Sequence, residues 1–137
     1  MPSSKSIVLA TSIFFAVAGG ANAKEFKITF DWSGLKLCTS GNPNVVSNPK
    51  FKVSGLPKGT KFIQFRLKDK NVPSYNHGGG WVEMSKDGTT PMNSFKYQSP
   101  CPPSDKHVYE WTAQAKDKKG FGAKTLGTAK AARKYPE

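Results

Sequence analysis

The sequence predicts a mainly β chain, a two-sheet β-sandwich or a closely related all-β fold. Three observations point there. Apolar side chains recur with period two over short stretches, as in Phe26, Ile28, Phe30 and Trp32 set against Lys27, Thr29 and Asp31. The stretches are brief and separated by clusters of glycine, proline and asparagine, the punctuation of short strands in a sandwich. A longer tract alternates strictly, with His107, Tyr109, Trp111, Ala113 and Ala115 on one parity and Val108, Glu110, Thr112 and Gln114 on the other. Period two places the first set side by side on one face of a strand.

In order, the chain begins with a targeting pattern. Lys5 precedes the apolar run Ile7 to Gly19, and Ala21-Asn22-Ala23 offers an A-x-A cleavage site. The run falls short of the about 20 apolar residues a membrane-spanning helix needs. Residues 1–23 therefore read as a signal peptide, and 24–137 as one exported domain with no stable membrane insertion. A first strand covers Phe26 to Trp32. The turn-rich tract Thr39 to Pro49 reads as a loop. Phe51 and Val53 mark a second strand, ended by Gly55-Leu56-Pro57-Lys58-Gly59. A third spans Phe62 to Lys68. Asp69 to Gly80 is a long polar loop, and Trp81 to Met84 a short strand. A second loop carries Asp87-Gly88 and Pro91, then Phe95 to Tyr97 leads into the proline-rich turn before His107. Asp117 to Gly120 is a turn, and Phe121 to Leu126 a short strand or irregular segment. Good helix formers after Thr128, a candidate N-cap, predict a short C-terminal helix over Thr128–Tyr135.

The formal net charge is +12. A basic exported chain can meet small anions, phospholipid headgroups, surface polysaccharide or nucleic acid. Here the lysines are dispersed, and most read as solvated surface. No nucleic-acid motif is present, and the only basic cluster on the expected helix is Lys130, Arg133 and Lys134, so nucleic acid is not an expected partner. The two cysteines, Cys38 and Cys101, read as a disulfide in an exported chain. It would contribute about 4 kcal/mol on the chain-entropy model. The competing reading is a reactive thiol, although neither cysteine has a neighbouring histidine in sequence.

Three loop-to-strand junctions carry polar groups that suit an anion. Asp69 ends the third strand, His77 precedes Gly78-Gly79-Gly80, and His107 and Tyr109 share a strand face. Imidazoles and a phenol donate to phosphate or carboxylate oxygens. Successive glycines let backbone N–H groups turn inward as an anion nest, and Asp69 would orient a histidine. A metal enzyme would instead draw on His77, His107 and Asp69, but their spacing matches no helix-borne metal motif. No G-x-S-x-G elbow occurs either. The expectation is a non-enzymatic protein without a cofactor.

The order of these pieces carries a resemblance. Asp69-x-Asn71-x-Pro73, His77-Gly-Gly-Gly-Trp81-Val82, Tyr97-x-Ser99-Pro100-Cys101-Pro102-Pro103 and His107-x-Tyr109 follow Ser47-Asn48-Pro49-x-Phe51 and Leu56-Pro57-x-Gly59-Thr60-Lys61. The set resembles the phosphatidylethanolamine-binding protein family, closest to its small exported bacterial members, over Phe26 to Tyr135. The resemblance implies a two-sheet sandwich with short helices and a small anion site at one end, taking phosphate, acetate or a lipid's phosphoryl headgroup. Carried over by motif, the site residues are Asp69, Pro73, His77, Pro103, His107 and Tyr109. The pattern departs at Asn71, where the family has a second aspartate, and at Gly80, where many members have a histidine before the aromatic residue. Cys101 interrupts the proline loop, which fits a bridge to Cys38. The resulting expectation is a binding module for a small anionic ligand or lipid headgroup. The alternative is an inhibitor or modulator of an exported hydrolase, with a protein partner.

Overall fold

The computed structural model describes residues 24–137, so the amino-terminal targeting pattern lies outside the described residues. Nine strands make up the described regular structure: β1 (Lys27–Thr29), β2 (Val45–Ser47), β3 (Lys52–Ser54), β4 (Phe62–Asp69), β5 (Gly79–Glu83), β6 (Gly88–Thr89), β7 (Lys96–Gln98), β8 (His107–Lys116) and β9 (Thr125–Tyr135). They form a four-stranded sheet in the order β5-β4-β8-β9, a three-stranded sheet β1-β3-β6 and the pair β2-β7. All pairings are antiparallel.

The strands follow from the alternation. In β4, Ile63, Phe65, Leu67 and Asp69 are buried while Arg66 and Lys68 are exposed. In β8, Tyr109, Trp111, Ala113 and Ala115 are buried. These inner faces meet Ile28 and Val53 of the smaller sheet, with Phe30 and Phe51 flanking its strands, in one core. Phe51 stacks on Phe65 at 4.2 Å between ring centroids, and Trp111 meets Phe51 edge-on at 5.2 Å. Burying side chains of this size contributes about 1.5–3 kcal/mol each. Trp111 Nε1 is buried without a hydrogen-bond acceptor. It lies among the rings of Phe51, Phe65, Phe95 and Tyr97.

Three expectations are corrected. The helix over Thr128–Tyr135 is not formed, and among the described residues there is no helix at all. These residues belong to β9, whose register against β8 runs from His107↔Tyr135 to Gln114↔Thr128. The propensity of TAKAARKY is local and weak, and a helix this short is marginal alone. As a strand, β9 completes the hydrogen bonds of β8 and buries Ala129 and Tyr135. The tract Thr39–Pro49 is also not all loop, because Val45–Ser47 pairs with Lys96–Gln98. Likewise, the turn at Asp87-Gly88 contains β6, which pairs with β3.

The strand assignment has a simple test. Ala132 is exposed on β9 opposite Glu110. Ala132→Thr is expected to raise stability by up to about 1 kcal/mol in urea unfolding, since a β-branched residue suits a strand. A helix would be weakened by the same change, and a loss of stability would count against β9.

Candidate ligand site

The candidate site forms where β4 ends and β8 begins. The register sets Asp69 directly opposite Tyr109. Both therefore share the inner face, and His107 lies two residues upstream on that same face. The His107 ring closes on Asp69, with Nδ1 2.6 Å from Oδ2. The other carboxylate oxygen, Oδ1, accepts the N–H groups of Asn71 at 2.9 Å and Val72 at 3.1 Å. Asp69 is only 4% exposed. Burial alone would raise its pKa, but the His107 and backbone hydrogen bonds outweigh it and hold the carboxyl below the ordinary aspartate value. An ionised Asp69 accepts only, so Nδ1 of His107 carries the proton and Nε2 is the ring nitrogen left for a ligand.

His77 arrives from the polar loop and is pinned to β7 rather than to Asp69. Its carbonyl accepts the Gln98 N–H at 2.8 Å, and its Nδ1 donates to the Gln98 carbonyl at 2.8 Å. A carbonyl cannot donate, so this contact also fixes the proton on Nδ1. The ring stands edge-on to Tyr109 at 5.4 Å and lies 4.5 Å from Tyr75. Burial holds the His77 pKa below its ordinary value, against opposing pulls from the Gln98 and Ser99 backbone and from Asp69. Burial and the neighbouring Asp69 push the Tyr109 phenol up, so it stays a donor.

Asp69, His77, His107 and Tyr109 line one concavity of about 150 Å³, walled by Pro102 and Pro103. The Cys38–Cys101 disulfide forms, with Cα atoms 4.6 Å apart. It draws Gly41 and Pro43 against the proline loop to complete the wall. Gly41 has φ +83°, and a Cβ there would lie 3.2 Å from Pro103 Cβ. Only glycine suits this position. Val72 and Tyr75 add an apolar rim that the sequence reading did not single out. The one sequence signal for it was an aromatic residue and a valine in an otherwise polar loop.

Other expected site residues lie elsewhere. Pro73 is exposed and does not line the concavity. Gly78, Gly79 and Gly80 do not line it either. Gly79 and Gly80 pair with Arg66 and Phe65, and the Gly78 carbonyl accepts the Leu67 N–H. A Cβ on Gly80 would sit 2.3 Å from Phe95 Cβ, so this glycine admits a core ring. Asn71, in place of a second aspartate, accepts the Val108 N–H at 2.9 Å and ties the loop to β8. Among the described residues no three carboxylate, imidazole or thiol groups are placed to hold a metal ion.

No lysine or arginine lines the concavity, so its two imidazoles are the lining groups able to take up a positive charge. A larger open groove of about 820 Å³ carries Lys50, Lys52 and Arg133 beside Asp31. Arg133 is already engaged by Glu137, with Nε 2.7 Å from Oε1, and no titratable pair converges there.

The His77 environment predicts a pH dependence. Its folded pKa lies below the unfolded value of 6.5, so the unfolded chain binds the proton more readily. Stability is expected to fall as pH drops below 6.5. His77→Asn keeps a donor for the Gln98 carbonyl without a titrating ring. Urea midpoints of the variant should lose this part of the slope; an unchanged slope would place the titration elsewhere.

Two solved structures share this architecture. A phosphatidylethanolamine-binding protein homolog, CT736, from Chlamydia trachomatis matches with a TM-score of 0.50 and 16% identity, over 82% of this chain and 98% of that one. YbcL from E. coli, a member of the mammalian phosphatidylethanolamine-binding protein family, matches with a TM-score of 0.52 and 18% identity, over 81% and 98%. No protein-family profile matches the sequence, and no curated protein does. At these identities the likeness is one of fold: the chain has a mainly β fold like that of phosphatidylethanolamine-binding proteins.

Proposed function

We propose that the protein is an exported, non-enzymatic binding module for a small anionic ligand, a phosphate- or carboxylate-bearing molecule or a phospholipid headgroup. The observation that carries this reading is a pair of imidazoles tied through Nδ1, His107 to Asp69 and His77 to Gln98, around one small concavity. Each leaves Nε2 to meet a ligand, and the Tyr109 phenol adds a donor. A volume of about 150 Å³ suits a phosphate, a short carboxylate or one headgroup better than a larger molecule. The fold shared with phosphatidylethanolamine-binding proteins supports the same class of ligand. The disulfide and the amino-terminal pattern support export. The stack of Phe51 on Phe65 supports a sandwich of the three- and four-stranded sheets.

A neutral His77 offers a lone pair at Nε2, which repels an anion's oxygens. A protonated His77 offers an N–H donor and a charge. Because no lysine or arginine supplies charge within the concavity, anion binding is coupled to imidazole protonation. Affinity should therefore rise as the pH falls toward and below 6.5, because burial holds His77 below that ordinary value. Titration calorimetry with phosphate, phosphoethanolamine and sulfate tests this; sulfate has no proton of its own to titrate in that range. Binding of all three that survives His107→Ala unchanged would refute the assignment.

A further inference from the structure

We propose that the outer face of the four-stranded sheet is a second binding surface, for an acidic polysaccharide. The register places a tryptophan there. Val82 and its partner Ile63 point into the core, so Trp81 and its partner Gln64 point to the opposite side. Trp81 is half-buried, and among the described residues it makes no ring contact with the aromatic cluster. The part of the indole that stays exposed on this face is apolar area in water.

Its neighbours are the groups that recognise a charged sugar. Gln64 is flanked on its other side by Gln114, so two amides continue the row from Trp81 across β4 and β8. The next row sets Arg66 beside Thr112, and Thr112 beside Lys130 of β9. Gln64, Arg66, Lys68, Thr112 and Gln114 line a shallow concavity of about 370 Å³. Arg66, Lys68 and Lys130 are exposed and pair with no carboxylate among the described residues. Two carboxylates share this face: Glu110 of β8, opposite Lys68 in the register and 3.5 Å from Lys70, and the exposed Glu83 at the β5 edge, so the balance with Arg66, Lys68 and Lys130 stays positive. The face is therefore positive along two strand rows, set on the order of 10 Å apart by ordinary strand spacing.

This chemistry selects its occupant. The C–H face of a sugar ring packs on an indole, which presents a broad apolar surface with a polar edge. The glutamine amides donate to and accept from hydroxyls. Arg66 takes a carboxylate or sulfate in a fork, with Lys68 and Lys130 as point charges on either side. A lipid surface would need a projecting apolar wedge, whereas the two rings of this face, Trp81 and Phe62, are half-buried beside a shallow polar concavity. Single-stranded nucleic acid would favour a run of exposed stacking rings, whereas the strands of this face carry two half-buried ones, Trp81 and Phe62.

The test uses untagged mature protein and polygalacturonate as the acidic glycan, with dextran as the neutral one. Affinity electrophoresis and calorimetry should show binding to polygalacturonate. Trp81→Ala should weaken it by about tenfold. Arg66→Glu, at an exposed position that does not threaten folding, should weaken it at least as much. Phosphate titration at the His107 site should be unchanged in both, which also verifies folding. Binding that both variants retain, and that salt alone abolishes, would mean diffuse attraction and overturn the proposal. Equal, Trp81-dependent binding to single-stranded DNA or to anionic vesicles would overturn the choice of a glycan.

Discussion

Replacing Asp69 with alanine is expected to lower the unfolding free energy by about 3–5 kcal/mol, as removing one partner of a buried charged set commonly does. Asp69 holds three contacts at once: the His107 ring and the N–H groups of Asn71 and Val72. Alanine leaves all three donors without this acceptor at a position that is itself only 4% exposed. The sign of the carboxyl shift agrees. A folded pKa below the ordinary 3.8 means that the stabilising contribution is present above that pH. It is lost as the pH falls through the depressed folded value. Asp69→Asn separates the parts, because its amide oxygen still accepts from the loop while its NH2 faces His107 Nδ1. The asparagine variant should cost less, about 1–3 kcal/mol. It should also move the His107 proton to Nε2. Urea unfolding at pH 7 measures both variants, and a loss below about 1 kcal/mol for alanine would show that the Asp69 contacts contribute little.

The second large effect is at the disulfide. Cys38 and Cys101 are both buried and close a loop with a sequence separation of 63. The double variant Cys38→Ala with Cys101→Ala is expected to lose about 4 kcal/mol through the entropy regained by the unfolded chain. For a domain of this size that lowers the melting temperature by on the order of 20 °C. The loss extends to function, because the bridge sets Gly41 and Pro43 beside Pro103 at the wall of the concavity. Phosphate affinity should fall even at temperatures where the variant is fully folded. Thermal scans with and without reductant provide the measurement. A reduced protein that melts within a few degrees of the oxidised one would contradict the assigned role.

The parts of the molecule legible in the sequence are those where local pattern and global pairing agree. The parity of His107, Tyr109 and Trp111 gave both the strand and the face. Asp69, on the inner parity of β4, fell opposite Tyr109 once that strand paired. β9 was misread because eight residues of good helix formers say nothing about the open edge of β8 that they complete. The strand Val45–Ser47 was hidden in turn-rich sequence because its partner is about 50 residues away, at a separation that local propensity does not sense. His77 is the instructive case. Its entry into the concavity rests on two backbone contacts with Gln98, and no spacing within its own loop announces them. The three glycines beside it misled in the opposite direction. A run that suggested an anion nest instead lets β5 approach β4 and Phe95 closely.

The chain has only two histidines, so the imidazole nitrogens of untagged protein give two resolvable sets of resonances. A long-range 15N–1H spectrum recorded at about pH 6 during a phosphate titration reads the proposed site directly. The Nε2 signals of His77 and His107 should shift together and saturate at one dissociation constant, while each Nδ1 stays hydrogen-bonded to Gln98 or Asp69. If neither imidazole responds, or only one does, the two rings do not share a bound anion and the proposed function fails.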